Sequence, residues 1–222
     1  MNNAADAVER KPLLILGARS FAREVADLVS DIAGFALTGF VENTDRALCG
    51  ESMIDGLPVY WVDDIAAMAA THWCVCAFGS TRRIAFIRQA EAMGFRFASV
   101  IHPTARVSRR SAVEDGCIIS SGVQIATNTR IGRHTLINRG AQIGHDIVVE
   151  ECVTVGPGVC MGGMSRIGAG SHLGMGAIVM GRLNVGEGAV VAAGAVVHRD
   201  VPANVMVAGM PAVAVKHGVD GL

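Results

Sequence analysis

Residues 142–150 read QIGHDIVVE, which sets a histidine and an aspartate, His145 and Asp146, side by side in a stretch otherwise built mainly from Ile, Gly and Val. Imidazole titrates near neutral pH, and a carboxylate beside it can hold it in place, so the pair is the chain's first candidate for catalysis. Two plainer roles compete: a corner histidine can simply be solvated, and Asp suits tight turns. The other histidines offer less. His102 stands in IHPT where a second region of the chain begins, and His134 and His172 are expected at other corners without a carboxylate beside them. His72, His198 and His217 read as surface or connector residues. No two histidines have the spacing of a zinc site, so no metal is expected.

What surrounds His145 follows from a repeat. Stepping by six from Ile101 to Val197 meets an aliphatic residue at all seventeen positions, with no break in register. Four residues after each anchor the side chain is usually small or β-branched, as at Ala105, Ser111, Cys117, Thr129 and Ala141. Glycine often follows the anchor directly, as at Gly132, Gly144, Gly156 and Gly168. An α-helix would need a 3.6-residue rhythm and an ordinary strand a period of two. A fixed six-residue period marks a solenoid of short flat strands and turns. It resembles the hexapeptide-repeat, left-handed parallel β-helix, in which three hexapeptides make one triangular coil and residues 18 apart stack. His145 then falls on a corner, with Thr127 one coil before it and Gly163 and Gly181 one and two coils after. The imidazole faces a strip without side chains, room for a long thin cofactor whose reactive end must reach the ring.

Residues 11–100 have another grammar. PLLILG (12–17) reads as a buried strand, SFAREVADLVSDI (20–32) as a helix with Ser20 at its N-cap, and ALTGFVEN (36–43) as a strand. VDDIAAMAA (62–70) reads as a helix, HWCVCAFG (72–79) as a strand and STRRIAFIRQAEAMG (80–94) as a helix closed by Gly94. Such alternation predicts a small, mostly parallel sheet with ligands at the C-terminal ends of its strands. The expected organisation is a polar lead-in over 1–10, an α/β domain over 11–100, a β-helix over 101–202 and a tail over 203–222.

Composition sets outer limits. The chain is 51% apolar but only 5% aromatic, so aliphatic and small side chains must fill its core. Nineteen basic residues against twenty acidic ones give no basic face, which argues against nucleic acid as a partner. No run approaches the ~18 apolar residues of a spanning helix, so no membrane association is expected. Cys49, Cys74, Cys76, Cys117, Cys152 and Cys160 are scattered without a CxxC. With no export signal read at the N-terminus, they are expected to be reduced, small and buried in a cytoplasmic protein.

Several stretches together resemble the bacterial sugar acyltransferases that pair a small Rossmann-like domain with such a prism. LLILGARSFAREVADLV looks like their nucleotide-binding opening and GFVENTD like their second strand. GFRFASVIHPTARVS looks like their hinge, and VVAAGAVVHRDVPANVMVAGMPAVAVK like their closing coil and CoA-binding tail. The group includes sialic acid O-acetyltransferases and N-acetyltransferases acting on UDP- or GDP-linked 4-amino-4,6-dideoxy sugars. The resemblance implies acetyl transfer from acetyl-CoA to the 4-amino group of such a sugar, for surface glycan or glycoprotein synthesis.

It also implies roles at matching positions. His145 would be the general base with Asp146 as its acidic partner, and the N–H of Gly163 would steady the oxyanion. Asn138 would lie near the reacting groups. Thr154, Met175, Ala193, Gly209 and Pro211 would follow the CoA, with Lys216 at a phosphate. Gly17, Arg19 and Ser20 would approach the diphosphate, while Glu42 and Asn43 would face the nucleoside. A homotrimer with the CoA between neighbouring prisms is implied as well. The chain departs from the pattern at Thr154, where several relatives carry a second histidine, and at Asp146, where Glu is frequent. It departs again at Gly-Ala-Arg-Ser, which has fewer glycines and shifts weight to Arg19, and at Met210, which replaces a usual Asn. O-acetylation of a free sugar is a second expectation, although a free sugar would not need the nucleotide-binding domain. A non-catalytic scaffold is the third, and the His145–Asp146 pair beside the glycine strip speaks against it.

Overall fold

A computed structural model of the chain describes residues 10–50 and 53–222, so all of the expected lead-in but Arg10 lies outside the described residues. The apolar run after Lys11 forms strand β1 (Lys11–Leu16), whose last four residues are fully buried. Around it lie β2 (Phe35–Glu42), a short β3 (Met53–Ile54), β4 (Leu57–Trp61), β5 (Trp73–Cys76) and β6 (Arg96–Phe97). Their order in the sheet is β3-β4-β2-β1-β5-β6, parallel throughout except for the β3–β4 hairpin. Helix α1 (Ser20–Ser30) buries Ala22, Val25, Leu28 and Val29, one stripe at helical spacing, and α2 (Ile84–Ala92) buries Phe86, Ile87 and Ala90.

Three local readings need correction. Arg19, not Ser20, occupies the N-cap of α1, and no side chain caps that helix. Residues Val62–Met68 wind as a 3-10 helix, and a 3-10 turn (Thr81–Arg83) precedes α2. Strand β4 was not foreseen, because Pro58 interrupts the alternation by which a half-buried strand is read.

Beyond residue 100 the repeat has the expected geometry. Each of the seventeen anchors is the second residue of a two-residue strand. Neighbouring strands are parallel and 18 residues apart: Ile119 pairs with Ile101 and Ile137, and Ile143 with Ile125 and Met161. The strands form three faces. The first holds Val100–Ile101 and its partners up to Val190–Val191, and is extended by Val205–Gly209 and the antiparallel Ala212–His217. The second runs from Arg106–Val107 to Val196–Val197, and the third from Ala112–Val113 to Asn184–Val185. The anchors and the residues four places later share one core, which includes Ile131, Ile143, Ile147 and Val149.

The faces differ in what covers them. Ile118 and Leu136 of the first face pack in one cluster with Leu13, Val25 and Val29, so the N-terminal sheet and α1 sit on it. The third face carries the ion pairs Arg130–Glu114 and Arg166–Glu150, a surface at ease in water. The second face has neither cover. Cys160 and Ile178 stand exposed on it, and Met164 and Met180 beside it. Cys160 therefore departs from the expectation of buried thiols, whereas Cys74, Cys76, Cys117 and Cys152 are buried. Burial pushes the Cys76 and Cys117 thiols up to about 12.

Two histidines also differ from expectation, one in its place and one in its surroundings. His172 is on a flat strand of the first face, not at a corner. His134 does hold a corner, but it is buried against the N-terminal domain, edge-on to Phe97, with Nε2 3.6 Å from Glu91 Oε1. Burial, helped by the charge of Arg133 and Arg83, pushes its pKa down to about 4 against the pull of Glu91. The unfolded chain binds that proton near its ordinary value, so the native state loses stability as pH falls from about 6.5 to 4, by up to about 3 kcal/mol. Urea unfolding at pH 7 and pH 4.5 should show this loss, and His134→Leu should flatten it. An equal loss in the variant would assign the acid sensitivity to other groups.

Candidate active site

The corner that carries His145 joins strand Gln142–Ile143 of the second face to Val148–Val149 of the third. It is built from beneath by a buried hydroxyl. Thr129, the small residue of the preceding coil, donates from Oγ1 to Gly144 O at 2.8 Å and accepts from Ile147 N at 3.2 Å. Both ends of the four-residue corner are thereby fixed. Asp146 takes the left-handed conformation there, with φ of 56°, so it is the turn-former that its type suggested. It is also the partner of the ring, because Oδ2 lies 2.7 Å from His145 Nδ1.

The second carboxylate oxygen, Oδ1, accepts from Asn128 Nδ2 at 3.2 Å. The hydrogen bond from His145, then that from Asn128, holds the Asp146 carboxyl below the usual carboxylate range. A carboxylate so held is an acceptor, which assigns the imidazole proton to Nδ1 and leaves the lone pair on Nε2. About half of each side chain is exposed, so the lone pair is accessible. Asn128 escaped the sequence reading although the repeat itself places it directly beneath Asp146, 18 residues earlier.

Gly163 stacks on His145 as expected, but the space above it is not open. A β-carbon built on Gly163 would lie 2.7 Å from His145 Nε2 and 2.8 Å from Cε1, so the ring itself rests over the glycine. Beyond it the strip is bare, since a β-carbon on Gly181 would meet only backbone. The N–H of Gly163 donates to no acceptor among the described residues, whereas its carbonyl accepts from Arg182 N at 3.0 Å. A shallow apolar groove crosses the second face alongside, lined by Gln142, Gly144, Cys160, Gly162, Ile178 and Met180.

The remaining candidates divide. Asn138, Met175 and Ala193 lie on a different edge, between the first and second faces, with the whole second face separating them from His145. Gly209 and Pro211 form the tip of the last hairpin, where Gly209 has φ of 98°, and Lys216 stands exposed on its outer strand. Thr154 must be withdrawn from any cofactor track. It is buried on the first face, and its hydroxyl accepts from Arg83 Nη1 at 2.7 Å. Gly17, Arg19 and Ser20 stand at the C-terminal end of β1, and Glu42 and Asn43 at that of β2, the edge where ligands were expected. Glu42 is less free than foreseen. Its Oε1 accepts from Asn43 N, Thr44 N and Thr44 Oγ1 at 2.6–2.9 Å, and these bonds outweigh burial to lower its pKa.

Comparison with known proteins bears on this arrangement. No protein-family model matches the chain. PerB from Caulobacter crescentus, solved with CoA and GDP-perosamine, is similar at a TM-score of 0.84 and 29% identity over 92% of this chain and 97% of that one. The acetyltransferase domain of PglB from Neisseria gonorrhoeae, solved with acetyl coenzyme A, gives a TM-score of 0.85 and 26% identity over 93% of this chain and 100% of that one. The chain is thus similar in fold and sequence to hexapeptide-repeat acetyltransferases. A GDP-perosamine N-acetyltransferase of Escherichia coli O157:H7 is 35% identical over 123 residues, 53% of this chain and 56% of that one. The chain spans only about a third of the first curated relatives it matches, two plant serine acetyltransferases.

In this hexapeptide-repeat protein the described residues contain no group of three His, Cys, Asp or Glu side chains able to hold a metal. No helix among them is long and apolar enough to cross a membrane.

Proposed function

We propose that this protein is a cytoplasmic, acetyl-CoA-dependent N-acetyltransferase acting on the 4-amino group of a UDP- or GDP-linked 4-amino-4,6-dideoxy sugar. The observation that carries the reading is the imidazole tied through Nδ1 to Asp146 and laid over Gly163, with Nε2 left to take a proton. An amine must lose a proton as it becomes an amide, and a base near neutrality suits that transfer. The unpaired N–H of Gly163 suits a developing oxyanion. The likeness to proteins solved with CoA and GDP-perosamine supports both substrates. On the N-terminal side, read as a Rossmann-like domain, the uncapped start of α1 beside Gly17 and Arg19 suits a diphosphate. Asn43, at the end of β2, would meet the nucleoside.

The division of the candidates between two edges supports a site completed by a second copy. The edge with His145 and Gly163 of one chain would face the edge with Asn138, Met175 and Ala193 of its neighbour, the bare apolar second face lying between them. Closed threefold symmetry satisfies every such edge. Light scattering is therefore expected to give about 69 kDa, three chains of 23.1 kDa each. A monomer with full turnover would overturn the shared site.

The function is tested by incubating purified protein with acetyl-CoA and a panel of UDP- and GDP-linked 4-amino sugars, following release of free thiol. Turnover with one of them is expected. Turnover only with a free sugar such as sialic acid would shift the reading to O-acetylation, and none with any acceptor would leave the prism a scaffold.

A further inference from the structure

We infer that Arg83 is a positioning residue that locks the ligand edge of the N-terminal sheet onto the prism. Arg83 is 1% exposed, yet no carboxylate lies within ion-pair distance of it among the described residues. Its guanidinium is satisfied by neutral acceptors instead. Nε donates to His134 O at 3.1 Å, Nη2 to Val153 O at 2.8 Å, and Nη1 to both Thr154 Oγ1 at 2.7 Å and Ser80 O at 3.1 Å. Three of these acceptors belong to two successive coils of the prism. The fourth belongs to the loop 77–80, which leaves β5 at its C-terminal end.

Arginine stems usually run along apolar surface and deliver the charge to water. Burying the head without a counter-ion is costly, and the cost is bearable only when the donors are met by well-placed acceptors. The planar guanidinium can span acceptors on two elements at fixed angles, which an ammonium cannot. What the clamp holds is informative. Ala77 N donates to Leu16 O at 2.9 Å, and a β-carbon on Gly17 would come within 3.0 Å of Ala77 O, so the loop is the wall on which the Gly17–Ser20 turn rests. From the other side the hydroxyls of Ser80 and Thr81 both donate to Leu222 O. The loop is thus held from two directions, by the prism through Arg83 and by Leu222 of the tail, and the turn beside it inherits that position.

The inference rests on the proposed function only for what the turn would bind, a nucleotide diphosphate. Arg83→Lys keeps a charge but cannot reach all four acceptors, and Arg83→Met removes the charge. In both, the peptide spanning residues 76–83 should exchange amide hydrogens at least about tenfold faster while the strands around Ile119, Ile137 and Val155 stay protected. The KM for the nucleotide sugar should rise about tenfold, more in the methionine variant, with the KM for acetyl-CoA changed less than about twofold. Unchanged exchange at 76–83 in both variants would overturn the inference. Equal loosening of loop and prism would do the same, because Arg83 would then serve general stability. Were no nucleotide sugar to be turned over by the unmodified protein, the proposed function would fall while the exchange measurement still decided the role of Arg83.

Discussion

Replacing His145 with alanine is expected to lower kcat at least ~100-fold, the scale on which a lost general base is felt. The expectation rests on the geometry of the corner. The ring is half exposed, stands at a corner outside the shared prism core, and has one nitrogen committed to Asp146. Deleting it removes chemistry and little packing, so the unfolding midpoint should hardly move. Asp146→Asn should give a smaller loss, about tenfold, because an amide can still accept from Nδ1 but no longer stabilises the protonated ring. Hydrogen bonds from His145 and Asn128 hold the Asp146 carboxyl below the usual range, so it is a carboxylate able to accept from the ring at neutral pH. Steady-state kinetics with saturating substrates checks both variants. Near-normal turnover in His145→Ala would remove this residue from the mechanism.

How far the sequence disclosed all this depends on which contacts are periodic. Contacts within the prism repeat every 18 residues, so the stack of Thr127, His145, Gly163 and Gly181 could be placed by counting, and Asn128 beneath Asp146 could have been placed the same way. Contacts between the prism and the N-terminal domain have no period. STRRIAF reads as the exposed start of a helix, and nothing in it announces that Arg83 is buried in the prism's first face. Thr154 shares that fate: its residue type allowed a cofactor contact, and only the docking of the turn before α2 consumes its hydroxyl. His134 looked like any other corner histidine until Phe97 and Glu91 closed over it. Motifs placed the two ligand-facing regions, but which edge of the triangle each would occupy needed the coil count carried through to the faces, and that count separates Asn138 and Met175 from His145.

Gly163→Ala is expected to cost turnover nearly as much as removing His145, for a reason other than a blocked cofactor track. The backbone at Gly163 is not in the left-handed region, so an alanine is not strained by its own torsions. The obstruction is the catalytic candidate itself. The new methyl would sit 2.7 Å from Nε2 and 2.8 Å from Cε1, closer than van der Waals contact, so the ring must shift from the place where Asp146 now holds it. A displacement of even ~1 Å at a reacting group can cost ~100-fold. The methyl would also lie 2.9 Å from His145 O, a backbone atom that remains whatever side chain residue 145 carries. A loss of stability on the order of 1 kcal/mol is therefore expected in either background. Turnover separates the two contacts. In His145→Ala the ring is gone, so adding Gly163→Ala should lower the residual rate little further, a strongly non-additive pair. If the two substitutions instead multiply their effects on kcat, Gly163 acts on the reaction by a route that does not pass through the imidazole, and the ring's rest over the glycine is packing alone.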